Sequence, residues 1–112
     1  MLDRIAGALE CYMDLLSLRQ RLTTANIANA DTPGYKTVDL DFASEFRRAL
    51  EGVPPRPVEV PGLTTRNDGN NVSLDRESRQ LAENAMRFSA ASNLLRSQIR
   101  MVRSAIEEGK NG

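Results

Sequence analysis

The stretch ANIANADTPGYK, Ala25 to Lys36, stands at the end of a long helical pattern and decides how that pattern stops. A helix that merely ends needs one residue that tolerates a positive φ, usually glycine. Here Ala25, Asn26, Ile27, Asn29 and Asp31 come first, and Asn26, Asn29 and Asp31 carry short polar side chains where a buried face would carry apolar ones. Thr32, Pro33, Gly34 and Tyr35 follow. Pro33 holds Thr32 extended and Gly34 permits a positive φ, so these four residues predict a type II turn. The asparagine amides and the Asp31 carboxylate can bond freed backbone groups or the polar atoms of a neighbour.

Upstream, Leu2, Ile5, Leu9, Tyr12 and Leu16 form a three-four stripe, and Leu15, Leu18, Leu22 and Ala25 form a second beside it. Downstream, a four-three spacing runs from Leu74 through Ser78, Leu81, Ala85, Phe88, Ser92, Leu95, Ile99, Val102 and Ile106. Arg96-Ser97-Gln98-Ile99 recurs seven residues on as Arg103-Ser104-Ala105-Ile106, and a seven-residue repeat keeps one seam facing a partner. Ser73 or Asp75 can cap this helix and Gly109 can end it. The reading is all-α: a helix within residues 1–31 and another over 75–109 pair as an antiparallel coiled coil. They form one domain, joined by a mostly irregular middle, 32–74, with one short helix.

The C-terminal helix also has a second stripe, Ala91, Leu94, Met101 and Ala105, interrupted by Gln98. A two-stranded coil needs one narrow seam per helix. Two adjacent seams on each helix imply further neighbours, so the surplus apolar surface is expected to meet other chains. In the middle, Val38, Leu40 and Phe42 alternate as a short extended piece with an apolar side. Asp41 is placed to cap a helix from Phe42 to about Glu51, with Phe42, Phe46 and Leu50 on one face and Gly52 as its stop. The proline-rich run Val53 to Gly62 excludes helix interior and central strand. Arg66 to Asn71, RNDGNN, is a turn cluster, and the whole middle is expected to order only when something packs on it.

Composition removes several function classes. Fifteen basic and fifteen acidic residues balance, so the footprint of a nucleic-acid binder is missing. There is no histidine, and the one cysteine, Cys11, sits in a helical pattern as a small hydrophobe. A disulfide framework within the chain and clustered Cys/His metal sites are thereby excluded. No apolar run approaches the ~20 residues of a membrane span, so no direct lipid anchor is expected. The first residues lack the pattern of a cleavable signal peptide. Asp75, Glu77 and Glu83 lie beside Arg76 and Arg79 at what reads as an exposed helix start, where dipole complementarity suffices to explain them. With no phosphate loop and no activated nucleophile, no catalytic residue or cofactor site is assigned.

ANIANADTPGYK at the end of an N-terminal helix resembles the signature of the flagellar axial (rod, hook and hook-associated) protein family. Asp68-Gly69-Asn70-Asn71, continuing as VSLDRE, with Leu81 to Asn84 (LAEN) and a leucine-rich helix, is similar to the C-terminal part of the family's small rod members. The short chain, without a large inserted domain, most resembles those of the proximal rod. Ser73 and Ser78 depart from the family's usual residues, and Ser78 weakens the seam locally. The resemblance implies a structural subunit whose terminal helices pair and whose copies pack helically, with other rod proteins, across the periplasm. It further implies torque transmission, a central channel, an adaptor protein at the membrane ring, and passage through the flagellar type III export apparatus. On that footing, Asn26 and Asn29 are expected to make directional contacts that fix register between subunits, as a buried polar residue does in coiled coils. A polar cap and turn alone is the simpler alternative. Arg96, Arg100 and Arg103 line one helix face, either solvated or pairing with acidic residues of adjacent subunits. Another small rod protein, or a helical adaptor that binds partner helices without polymerising, is the alternative function.

Overall fold

The computed structural model describes residues 2–111, with the side chains of Leu2 and Asn111 left aside. Helix α1 spans Leu2–Ala28, strand β1 Val38–Asp39, helix α2 Phe42–Leu50, strand β2 Val58–Glu59 and helix α3 Leu74–Asn111. Helices α1 and α3 lie antiparallel. Asn26 near the end of α1 bonds Glu77 in the first turn of α3, and Asp3 and Ala6 share a groove with Val102 and Arg103. The molecule is a rod, 71 × 25 × 17 Å.

The capping chemistry is local. The Arg76 N–H donates to Ser73 Oγ at 3.2 Å, the N-cap bond that satisfies one free amide of α3, while Asp75 and Glu77 complement the helix dipole. Gly109, expected to end α3, stays inside it. Glycine permits the left-handed C-cap without imposing it, and Gly109 keeps helical geometry to Asn111. The stop of α2 is where glycine is required. Gly52 has φ +79°, its N–H bonds Ala49 O and that of Val53 bonds Arg48 O, the paired bonds of a Schellman motif. Asp41 precedes α2, but its side chain makes no capping bond.

Helix α2 lies on α1 through an aromatic cluster. The Tyr12 ring meets Phe42 and Phe46 edge-on, with centroids 5.5 and 5.6 Å apart, and the Arg19 guanidinium sits 5.5 Å from the Phe42 centroid. Leu50, expected on the same face, turns outward. Leu15 and Leu18, the second stripe of α1, face Ala49, Val53, Pro54 and Pro55, with half-buried Cys11 beside them. The surplus apolar surface of α1 is therefore covered within the chain rather than by a neighbour. The second stripe of α3 is not: Leu94 and Met101 remain 55% and 57% exposed.

The seam itself is uneven. Leu16 is buried and Leu9, Tyr12, Leu81 and Leu95 are half-buried. Ile5, Phe88, Ile99, Val102 and Ile106 stay exposed, and Leu2 falls outside the described side chains. Ala91, read as part of the second stripe, is the one buried apolar residue among the described side chains of α3, and from Ser104 to Lys110 every residue is exposed.

The middle departs from expectation most. Strands β1 and β2 pair antiparallel, Val38 opposite Glu59 and Asp39 opposite Val58, and the Val60 N–H extends the ribbon to Thr37 O at 2.9 Å. A proline-rich segment is tolerated here because β2 is an edge. Around β1 the polar Thr37 and Asp39 are buried as well as Leu40, while Val38 is half-buried. The segment is ordered against the helices by hydrogen bonds, which the hydropathy of its residues does not register. None of the helices is long and apolar enough to cross a membrane.

Candidate assembly site

The turn after α1 is the centre of a polar core. Asn26, 1% exposed, donates from Nδ2 to Val38 O at 2.9 Å and to Glu77 Oε2 at 3.2 Å. Its Oδ1 accepts from Tyr35 Oη at 2.9 Å and from the Val38 N–H at 3.1 Å. Two donors and two lone pairs are the whole capacity of a primary amide, and all are used. Asn26 is therefore closed to a neighbouring subunit, contrary to the contact expected of it. It fixes register inside the protomer, between α1, β1, the turn and α3.

Asp39 holds the next layer. Its Oδ1 accepts from Arg19 Nε at 2.9 Å and from the Leu40 N–H at 2.7 Å. Its Oδ2 accepts from Arg76 Nη2 at 2.7 Å and Gln80 Nε2 at 2.9 Å, and Arg76 Nη1 donates to Glu77 Oε1 at 2.6 Å. Burial alone would raise the Asp39 carboxyl, but the hydrogen bonds from Arg19 and Arg76 outweigh it and hold the group below its ordinary value. Burial opposes the charge on Arg76, yet Asp39 and Glu77 raise it further. Tyr35 is raised first by burial and then by the Glu77 charge, which keeps its hydroxyl a donor to Asn26. Glu77 was read as part of an exposed helix start. It is fully buried, because α1 and the turn close over the first turn of α3.

The second motif folds onto the first. Asn70 Nδ2 donates to Asn29 O at 2.9 Å and Thr32 O at 2.8 Å, and its Oδ1 accepts from the Val72 N–H at 2.8 Å. Asn71 Oδ1 accepts from the Thr37 N–H at 2.7 Å, and Lys36 Nζ donates to Gly69 O. Arg66 donates to Ala30 O and Val72 O. Carbonyls of the last turn of α1 are met locally, by the N–H groups of Asn29 and Ala30, and those of the turn that follows are capped by residues about forty positions away. The Gly34 N–H bonds Asp68 O at 2.8 Å, and both Gly34 and Gly69 have positive φ, 78° and 86°. A Cβ on Gly69 would lie 3.2 Å from Gly34 Cα, so backbone meets backbone at this point. The Tyr35 N–H bonds Thr32 O at 3.2 Å, the bond expected of the type II turn.

Of the motif residues, Asn26, Tyr35, Gly34 and the run Asp68 to Asn71 converge here. Half-buried Asn29 is engaged locally, donating to Ala25 O and accepting from Thr32 Oγ1. Ala25, Asp31, Thr32 and Pro33 face outward, and Ile27 is half-buried. Sequence reading missed Arg19, Thr37, Asp39, Arg66, Gln80 and Glu45. The last is covered by Arg48 and Arg56, whose side chains lie over it at 3.3 and 3.2 Å. A signal existed for some of them. The α1 stripe that ends at Leu16 continues at the same spacing through Arg19, Thr23 and Asn26, and all three are largely shielded. Nearer the middle, Asn84 is 2% exposed with neither amide atom partnered, as is Gln20 Oε1; both line a groove of about 410 Å³ with Ser17, Ala85 and Phe88.

Among the described residues no group of carboxylates and cysteine is arranged to hold a metal ion. What the site offers is a rigid polar junction between two long helices. A family model described as "Flagella basal body rod protein" matches residues 13–36, the end of α1 and the turn. The flagellar basal body rod protein FlgB of Salmonella typhimurium strain LT2 is 32% identical over 137 aligned positions, covering 97% of this chain and 99% of that protein. The chain belongs to the flagellar basal-body rod protein family. The rod proteins FlgB of Yersinia ruckeri and of Escherichia coli K12 are each 31% identical, over 97% of this chain and 100% and 99% of theirs. Each alignment is longer than the 112 residues here, so these relatives carry insertions relative to this chain. The chain is a structural subunit of the basal-body rod.

Proposed function

We propose that this subunit polymerises helically with copies of itself and other rod proteins across the periplasm, transmitting torque and surrounding a central channel for export. One observation carries the reading: the turn end is closed and satisfied within the protomer, whereas the long free part of α3 shows Leu94, Ile99, Met101 and Ile106 to solvent. A row of large apolar residues on an otherwise ordinary helix marks an interaction face. The motif residues Ala25 to Tyr35 and Asp68 to Asn71 serve assembly by holding the two helices at one fixed offset, so that every copy presents the same surface. The proximal end meets an adaptor protein at the membrane ring. The subunit reaches its place through the flagellar type III export apparatus, and its role is mechanical rather than catalytic.

Deletion of the gene, scored by swimming and by electron microscopy of isolated basal bodies, tests this. Non-motile cells with membrane rings but no rod, rescued by the intact gene, are expected. Motile cells with complete rods would show that the chain is an adaptor or a dispensable relative.

A further inference from the structure

The two long helices carry opposite charges on edges that form no ion pair with each other among the described residues. On α1, Asp3, Glu10 and Asp14 recur at spacings of seven and four, which places them on one side of the helix. On α3, Arg96, Arg100 and Arg103 recur at four and three and share a side in the same way. All six are exposed. Asp3 and Arg103 border one groove; Glu10, Asp14, Arg96 and Arg100 have no oppositely charged group in ion-pair distance among the described residues. Arg100 donates only to Ser97 Oγ, at 3.3 Å.

Glu10, Arg96 and Arg100 are exposed, while Asp14 borders the groove under the α2 loop and Asp3 and Arg103 border the groove between the two long helices. Helix α1 spends Tyr12, Leu15 and Leu18 on α2 and its loop, and Leu16 and Asn26 on α3. Gly7 lies within the carboxylate edge with open space around it, so another helix can approach closely. The arginine edge borders exposed Ile99, which supplies apolar contact beside the charges.

We propose that these edges are the two halves of a head-to-tail contact between copies of this chain, the Glu10 and Asp14 edge of one seating on the Arg96 and Arg100 edge of the next. The inference rests on the rod-subunit reading and names the faces that meet. Because the two faces differ, the contact is heterologous: each added copy offers a fresh edge, and the series closes into a ring or continues as a helix. Opposite charges on the rim fix the register and reject the inverted pairing, while Gly7 and Ile99 give the close apolar contact.

The test uses the full chain and two double variants, Arg96→Glu with Arg100→Glu, and Glu10→Lys with Asp14→Lys. All four positions are exposed, so circular dichroism is expected to show the wild-type fold. Sedimentation equilibrium at low salt is expected to show wild-type self-association, weakened about tenfold or more in either variant. Mixing the two variants pairs each reversed edge with a complementary one and should restore association, as should combining all four substitutions in one chain. Association unchanged in the variants, no restoration on mixing, or a wild-type chain that stays monomeric at every concentration would each overturn the proposal. The rod reading is judged separately: rods missing from the deletion strain but built by both double variants would leave that reading standing and sink this contact.

Discussion

The two ends of the molecule are built on different chemistry. At the turn end, Asn26, Thr37, Asp39, Asn70, Asn71 and Glu77 are buried, and every one has its partners inside the chain. At the other end, α1 covers α3 only in part, and Leu94, Ile99, Met101 and Ile106 stay exposed. Hydrogen bonds are directional and lose their value when one partner is displaced, so the turn end has one geometry. Apolar contact is not directional and can be completed by any surface of the right shape. A subunit that must be identical from copy to copy, yet bind several neighbours, needs the first kind of chemistry at its hinge and the second along its free helix.

This contrast breaks most sharply at Asp39. Asp39→Ala leaves Arg19 and Arg76 without their shared carboxylate, and losing one member of a buried ion cluster costs about 3–5 kcal/mol. Urea unfolding of the purified protein should show the midpoint falling steeply, or no cooperative transition at all. Asn26→Ala orphans Glu77, Val38 and Tyr35 together, a loss of about 3 kcal/mol when a buried group is left unsatisfied. If this variant melted with the wild type, the register role given to Asn26 would be wrong.

Acid should act on the buried carboxylates of the turn end and of α2. The folded Asp39 carboxyl lies below its ordinary value of 3.8, so the unfolded chain binds the proton more readily. Its contribution to stability is complete above that value and is lost as the pH falls below it toward the lowered folded value. Glu45, held down by Arg56 and Arg48 against its burial, acts in the same sense below its ordinary 4.5. Thermal melts from neutral pH downward should therefore lose midpoint in that window, and Asp39→Asn should flatten the dependence. At the alkaline side the sign reverses. Tyr35 is raised, so its share is present below its ordinary 10.0 and lost above it.

Smaller effects sharpen the same comparison. Gly69→Ala forces a side chain into positive φ against the Gly34 backbone, a strain of about 1–3 kcal/mol readable in the same urea titration. Met101→Ser, on the open helix, should change protomer stability by less than about 0.5 kcal/mol while impairing rod formation in cells. A stability loss as large as that of Gly69→Ala would mean that the exposed stripe already packs within the protomer.

The helical half of this architecture was legible because periodicity reports it directly. The Leu2 to Leu16 stripe and the repeat from Leu74 onward mark two long helices, and Phe42 to Leu50 a third. The polar core was less legible, since the same spacing that flags Leu9, Tyr12 and Leu16 passes on to Arg19, Thr23 and Asn26, and a hydrophobic count stops where polarity begins. Glu77 looked like a first-turn carboxylate because nothing local says that α1 will cover it. Asp39 escaped notice because alternation marks Val38 and Leu40 as one apolar side and says nothing of what covers the other. The motifs Ala25 to Lys36 and Asp68 to Asn71 could be recognised as sequence. That they clasp through Gly34 and Gly69 is a fact of tertiary structure alone.

The polar composition of the buried set has a thermal consequence. Unfolding raises heat capacity by exposing apolar surface and lowers it by exposing polar surface. Here the fully shielded side chains include Asn26, Thr23, Thr37, Asn70 and Glu77, with Leu16 the one large apolar member among them. The two contributions offset one another more than in an apolar core of equal size. The stability curve of the isolated protomer is therefore expected to be broad and shallow, with little penalty on cooling, so that its junction holds the same geometry over a wide range of temperature.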